Sequence, residues 1–67
     1  MNVKTRRLEL GLSQKAIASA AGINIRQLQK IEAGEIDIGN VTLRNAIALA
    51  DALHTDVREL LADAPPF

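Results

Sequence analysis

The chain has no cysteine, tryptophan or tyrosine, and only one phenylalanine and one histidine among its 67 residues. Without cysteine there are no disulfide staples and no thiolate ligands for a metal. His54 alone cannot build a His-rich metal site or supply a nucleophile with its base. No cofactor and no metal are expected. Ser13 and Lys15 lie close in sequence, but nothing positions a base or an oxyanion hole around them, so an enzyme is not expected either. Apolar runs are only a few residues long, whereas a membrane span needs about 20, and a cleavable signal needs an apolar core of its own. What remains is one small domain, expected in the cytoplasm and near the lower limit of length for folding without staples.

Net charge is zero, but the charges are not evenly spread. Residues 1–30 carry Lys4, Arg6, Arg7, Lys15, Arg26 and Lys30 against Glu9 alone, a balance of +5. Residues 31–67 carry Arg44 and Arg58 against Glu32, Glu35, Asp37, Asp51, Asp56, Glu59 and Asp63, a balance of −5. Such a split suits a molecule with one face for a polyanion and another turned elsewhere; chance placement of solvated charges is the alternative.

Apolar residues follow helical spacing almost throughout, and β-branched alternation is confined to Ile36 and Ile38. Helix one is expected over about Val3 to Leu10, stopped at Gly11. Ser13 is a good N-cap for helix two, which runs to about Ala21 and ends at Gly22, a residue suited to the left-handed position after a helix. Asn24 caps helix three, which continues to about Ala33 before Gly34. Residues 34–41 read as a loop. Thr42 caps helix four, which reaches Leu53. Asp56 with Glu59 three residues on resembles a capping box for a short helix five. Pro65 and Pro66 then forbid further helix. The expected class is all-α: a bundle of about five short helices over residues 1–62, with a short tail over 63–67. Periodicity assigns the core to Val3, Leu8, Leu12, Ile17, Ala18, Ala21, Ile23, Leu28, Ile31, Leu43, Ala46, Ile47, Ala50, Leu53, Val57, Leu60 and Leu61.

The stretch Leu12–Gly34 carries the functional signal. Two short helices joined at a tight turn need a small residue within the first, glycine at the turn, and apolar residues that lock the second. Ala18, Gly22, Ile23, Leu28 and Ile31 stand at those places, and Ile17 completes the inner face. Arg7, GLSQ at 11–14, Ala18, Gly22-Ile23 and IEAG at 31–34, followed by ALADAL at 48–53 and DVRELL at 56–61, resemble the Cro/cI-type helix-turn-helix repressors, the xenobiotic-response-element family. The resemblance runs from about residue 3 to 61. It implies a lambda-repressor-like DNA-binding domain whose second motif helix reads the major groove.

The helical wheel gives the reading edge independently. With Leu28 and Ile31 turned inward, Arg26, Gln29, Lys30 and Ala33 face outward, and Ile25 and Gln27 flank them. Arg26 and Lys30 can donate to guanine, Gln29 can pair with adenine, and Ile25 can pack on a thymine methyl. The resemblance also places base contacts at Ile25, Arg26 and Lys30. Phosphate contacts form a second set. Gln14 sits in the first turn of helix two, where amide hydrogens and the helix dipole favour an anion. The resemblance implies that Gln14 clamps the backbone and that Asn24 holds a second such place. Ser13, Lys15 and Gln27 complete this set, Arg6 and Lys4 add long-range attraction, and Arg44 is a weaker candidate. The resemblance further implies a structural ion pair between Arg7 and Glu32; a phosphate contact by Arg7 is the competing reading.

Three places depart from the family pattern. Glu35 and Asp37 stand in a loop where relatives place basic residues, so the loop either meets DNA through the main chain of Gly34, Gly39 or Asn40, or faces a protein. Ile36 and Ile38 within it pack either under their own loop or against a partner. His54 stands where the family usually has glycine, and Arg6 replaces an apolar residue of helix one. The function expected is a sequence-specific regulator of double-stranded DNA, a dimeric repressor on an inverted repeat, with Ile36, Ile38, Val41, Val57 and Leu61 as candidates for the dimer surface. The alternative is an antitoxin or adaptor that mainly binds a protein partner.

Overall fold

Each helix begins at a polar side chain that accepts one of the amide hydrogens left without a partner at a helix start. The computed structural model describes residues 2–61. Among them are helices α1 (Val3–Glu9), α2 (Gln14–Ala21), α3 (Ile25–Glu32), α4 (Leu43–Ala52) and α5 (Val57–Leu61), with a 3-10 turn over Ile38–Asn40. Asn2 caps α1 from the amide of Thr5, Ser13 caps α2 from Ala16, and Asn24 caps α3 from Arg26. Thr42 caps α4 through the amide of Asn45. Asp56 caps α5 through the amide of Arg58 at 2.8 Å. The tail over 63–67, with Pro65 and Pro66, lies outside the described residues.

The first four helices end alike. In each, one amide reaches back five residues and the one before it three: Leu12 to Arg7 and Gly11 to Leu8, Ile23 to Ala18 and Gly22 to Ser19, Glu35 to Lys30 and Gly34 to Ile31, Thr55 to Ala50 and His54 to Asp51. This closure needs a left-handed residue at the bend. Glycine supplies it three times, and His54 supplies it at the end of α4 with φ 53°.

The core gathers around α4, which lies against α2 and α5, while α3 packs on α2 and α1 on α3. Ile17, Leu28, Leu49, Leu53 and Leu60 are fully buried. Leu49 was not among the expected core residues, whereas Leu43 and Ile47 were, and they are exposed instead. Two apolar stripes at helical spacing run along α4. The one made by Ala46, Leu49, Ala50 and Leu53 faces the bundle, and Leu43 with Ile47 lie on its flank. Leu8 and Leu12 are also exposed. The inner face of α1 is Val3–Arg7–Leu10, with the arginine buried at its centre, and one residue further turns Leu8 outward by about 100°. Leu61, at the end of α5, is exposed too. Ile38 is in the core, and the 3-10 turn that carries it packs on α5.

Candidate nucleic-acid interface

The position of α3 is set from below. Leu28 and Ile31 are buried under it, Ala18 is buried in α2 opposite, and Ile23 packs at the turn between them. That anchoring leaves Ile25, Arg26, Gln29, Lys30 and Ala33 exposed. Arg26, Gln29 and Lys30 stand three and four residues apart, so they share one edge of the helix. Gln27 is half-buried, and its Oε1 accepts a long 3.5 Å bond from Asn45 Nδ2 on α4. Nothing in the sequence reading singled out Asn45. As a polar residue beside Arg44 in the first turn of α4, it carries no signal of that contact.

The residues expected to touch phosphate lie at two helix starts. Ser13, Gln14 and Lys15 open α2, and Asn24 opens α3. Ser13 Oγ and Asn24 Oδ1 are both occupied as caps, which leaves the Nδ2 hydrogens of Asn24 for another acceptor. Gln14 is half-buried and donates from Nε2 to Glu32 Oε1 at 3.2 Å.

Arg7 and Glu32 meet across α1 and α3. Arg7 Nε lies 2.8 Å from Glu32 Oε2 and Nη2 lies 3.0 Å from Oε1, while Nη1 donates to the carbonyl of Leu12 at 2.9 Å. With its guanidinium turned inward on these partners, Arg7 is not a free donor for phosphate. Burial alone pushes the Glu32 carboxyl up, but the hydrogen bonds from Arg7 and Gln14, with the charges of Arg7 and Lys4, outweigh it and hold the group below the ordinary glutamate value. The bond to Glu32 raises the Arg7 guanidinium further.

Arg6 is engaged as well. Its Nε donates to the carbonyl of Leu53 at 2.9 Å and Nη2 to that of His54 at 3.3 Å, and Nη1 pairs with Glu9. It therefore closes the C-terminal end of α4. In the acidic loop, Asp37 Oδ1 accepts from the amide of Gly39 and caps the 3-10 turn. Of the residues expected at a dimer surface, Ile38 is taken by the core, Ile36, Val41 and Val57 are half-buried against it, and Leu61 is exposed.

A family model described as Helix-turn-helix matches residues 3–60. The chain belongs to the helix-turn-helix family. It is a DNA-binding transcriptional regulator of the Cro/cI type, and the match runs from the start of α1 into α5. Solved structures similar to it include the restriction-modification controller protein C.AhdI from Aeromonas hydrophila, 34% identical, with a TM-score of 0.78 over 88% of this chain and 85% of that one. No curated protein matches the chain. No helix among the described residues is long and apolar enough to cross a membrane.

Proposed function

We propose that this regulator binds one duplex sequence specifically, as a homodimer on an inverted repeat, and represses by covering a promoter. One observation carries the reading: α3 is locked by Leu28 and Ile31, yet holds Arg26, Gln29 and Lys30 outward along one edge. An edge of two cations and an amide, on a helix that cannot rotate, is matched to guanine O6 and N7 and to adenine N6 and N7. Ile25 at the start of the edge offers an apolar contact to a thymine methyl. Gln14, Asn24, Ser13, Lys15 and Gln27 flank the edge as phosphate contacts, which set register without reading bases.

The exposed stripe on α4 supports the dimer. Leu43 keeps 70% and Ile47 43% of their surface, with Arg44 and Asp51 on the same flank. Two copies of α4 packed antiparallel about a two-fold axis beside Ile47 bury both residues. The same packing sets Arg44 opposite the partner's Asp51, because the two lie equally far from the midpoint of 47 and 48. A second copy thus supplies both the apolar cover and the opposite charges. Recognition helices in such dimers sit about 34–36 Å apart, in successive major grooves. The likeness to a restriction-modification controller protein fits a chain whose task is control of expression.

Selection of bound duplexes from a random pool tests the reading. The expected result is an inverted repeat whose half-sites lie about one helical turn apart. No enrichment of any sequence at moderate salt rejects it.

A further inference from the structure

The carboxylate of Glu32 is the meeting point of three helices. It closes α3, takes both prongs of Arg7 from α1, and takes Gln14 Nε2 from the first turn of α2, while Arg7 also holds the carbonyl of Leu12 in the loop between. The Gln14 amide nitrogen carries two hydrogens, and Glu32 accepts one. A carboxylate without a proton can only accept, so it engages the nitrogen end of that amide and never the oxygen end. That choice decides what Gln14 offers to solvent. A glutamine free to flip presents its oxygen half the time, and an oxygen repels phosphate.

We infer that Glu32 is a positioning residue for DNA: clamped by Arg7, it fixes the flip and direction of the Gln14 amide so that the second Nε2 hydrogen meets a backbone phosphate already aligned. The inference rests on the DNA-binding reading above and assigns it a buried acid that never touches the duplex. An acid near phosphate would ordinarily oppose binding. Here Arg7 offsets its charge, and Lys4 adds to the same balance. Because Glu32 is the last residue of the reading helix, the phosphate clamp on α2 is tied to the same rigid element that carries the base contacts. A shift of α3 therefore moves both together.

The test uses the whole chain with a mixed-sequence duplex of about 20 base pairs at low salt, since the clamp reads no base. In nitrogen-edited NMR the two Gln14 side-chain hydrogens are resolved separately. On adding duplex, the one bonded to Glu32 is expected to hold its shift and the other to move. Gln14→Met should lower affinity about ten- to a hundredfold for every duplex alike, the range of one hydrogen bond to a charged acceptor. Glu32→Gln should cost a similar factor with Gln14 present and nothing more once Gln14→Met is in place. Independent, multiplying losses overturn the inference, and so does a Gln14 amide that leaves Glu32 or stays unmoved on binding. If Glu32→Gln does not fold, the spectra of the unaltered chain decide alone. A chain that binds no duplex sinks the DNA reading itself, whereas binding with an unmoved Gln14 sinks only this step.

Discussion

Arg7 and Glu32 form a two-pronged ion pair whose side chains keep only 9% and 3% of their surface. A pair this buried is weak evidence of net stabilisation, but removing one partner strands the other charge. Glu32→Ala should cost about 3–5 kcal/mol. A core of this size supplies stability of the same order, so the variant should be largely unfolded at 25 °C. Replacing both, Arg7→Met with Glu32→Leu, should come out near neutral because no charge is left behind. Urea midpoints measure both, and a single-variant loss under about 1 kcal/mol means that water reaches the pair.

The same pair makes folding acid-sensitive. The Glu32 carboxyl sits below its ordinary value in the folded chain, so the unfolded chain binds its proton first as pH falls. Its contribution is fully present above the ordinary glutamate range and is lost as pH drops through the lowered folded value. Urea midpoints taken from neutral pH downward should therefore fall more steeply for the natural chain than for the Arg7→Met, Glu32→Leu double variant. Parallel curves would assign the acid sensitivity to other carboxylates.

His54 holds φ 53°, a conformation that costs a non-glycine residue about 1–2 kcal/mol. Arg6 offsets part of this by donating to the carbonyls of Leu53 and His54. His54→Gly should raise stability by about 1 kcal/mol, the local strain less the added freedom of the unfolded chain. Arg6→Met should lower it by about 1 kcal/mol, the net worth of one such bond. Thermal melts of both variants check this, and an unchanged midpoint for His54→Gly means the bend carries no strain.

Much of this was legible in the sequence, because caps and stops are local. Asn24, Thr42 and the glycines announce helix ends by their own chemistry, and the lock of Ala18, Gly22, Ile23, Leu28 and Ile31 gives the motif by spacing alone. The position of Arg7 in the core was not legible from periodicity, since an arginine counts as a surface residue until its partner 25 positions away is placed. In α4, Ala46, Ala50 and Leu53 were placed in the core correctly, but Leu49 was left out and Leu43 and Ile47 were added for a related reason. Leu43 with Ile47 and Leu49 with Leu53 both satisfy helical spacing, and only the placement of α2 and α5 selects one. The partners of Arg6 were not legible either, because they are main-chain carbonyls, which leave no mark on composition.

The unselected stripe makes its own prediction. Ile47→Asp places a charge at the centre of the proposed two-fold contact without entering the monomer core. It should leave helix content and melting cooperativity intact, convert dimers to monomers in sedimentation, and weaken binding to a full inverted repeat far more than to a half-site. Arg44→Asp should dissociate the dimer too, and adding Asp51→Arg should restore it by exchanging the charges. An unchanged mass in all variants places the dimer contact elsewhere.

Arg26 separates base reading from simple attraction. If it donates to guanine, Arg26→Ala should cost about 1–3 kcal/mol on the preferred duplex and flatten the preference at one base pair in each half-site, while other sites are little affected. If it meets only phosphate, the loss is the same on every sequence and the salt dependence of binding falls by about one ion per half-site. Titrations on the selected duplex and on single-base variants, each at two salt concentrations, tell these apart. The exposed position of Arg26 one residue after the start of α3 favours the first outcome, because the first turn of a recognition helix is the part that enters the groove most deeply.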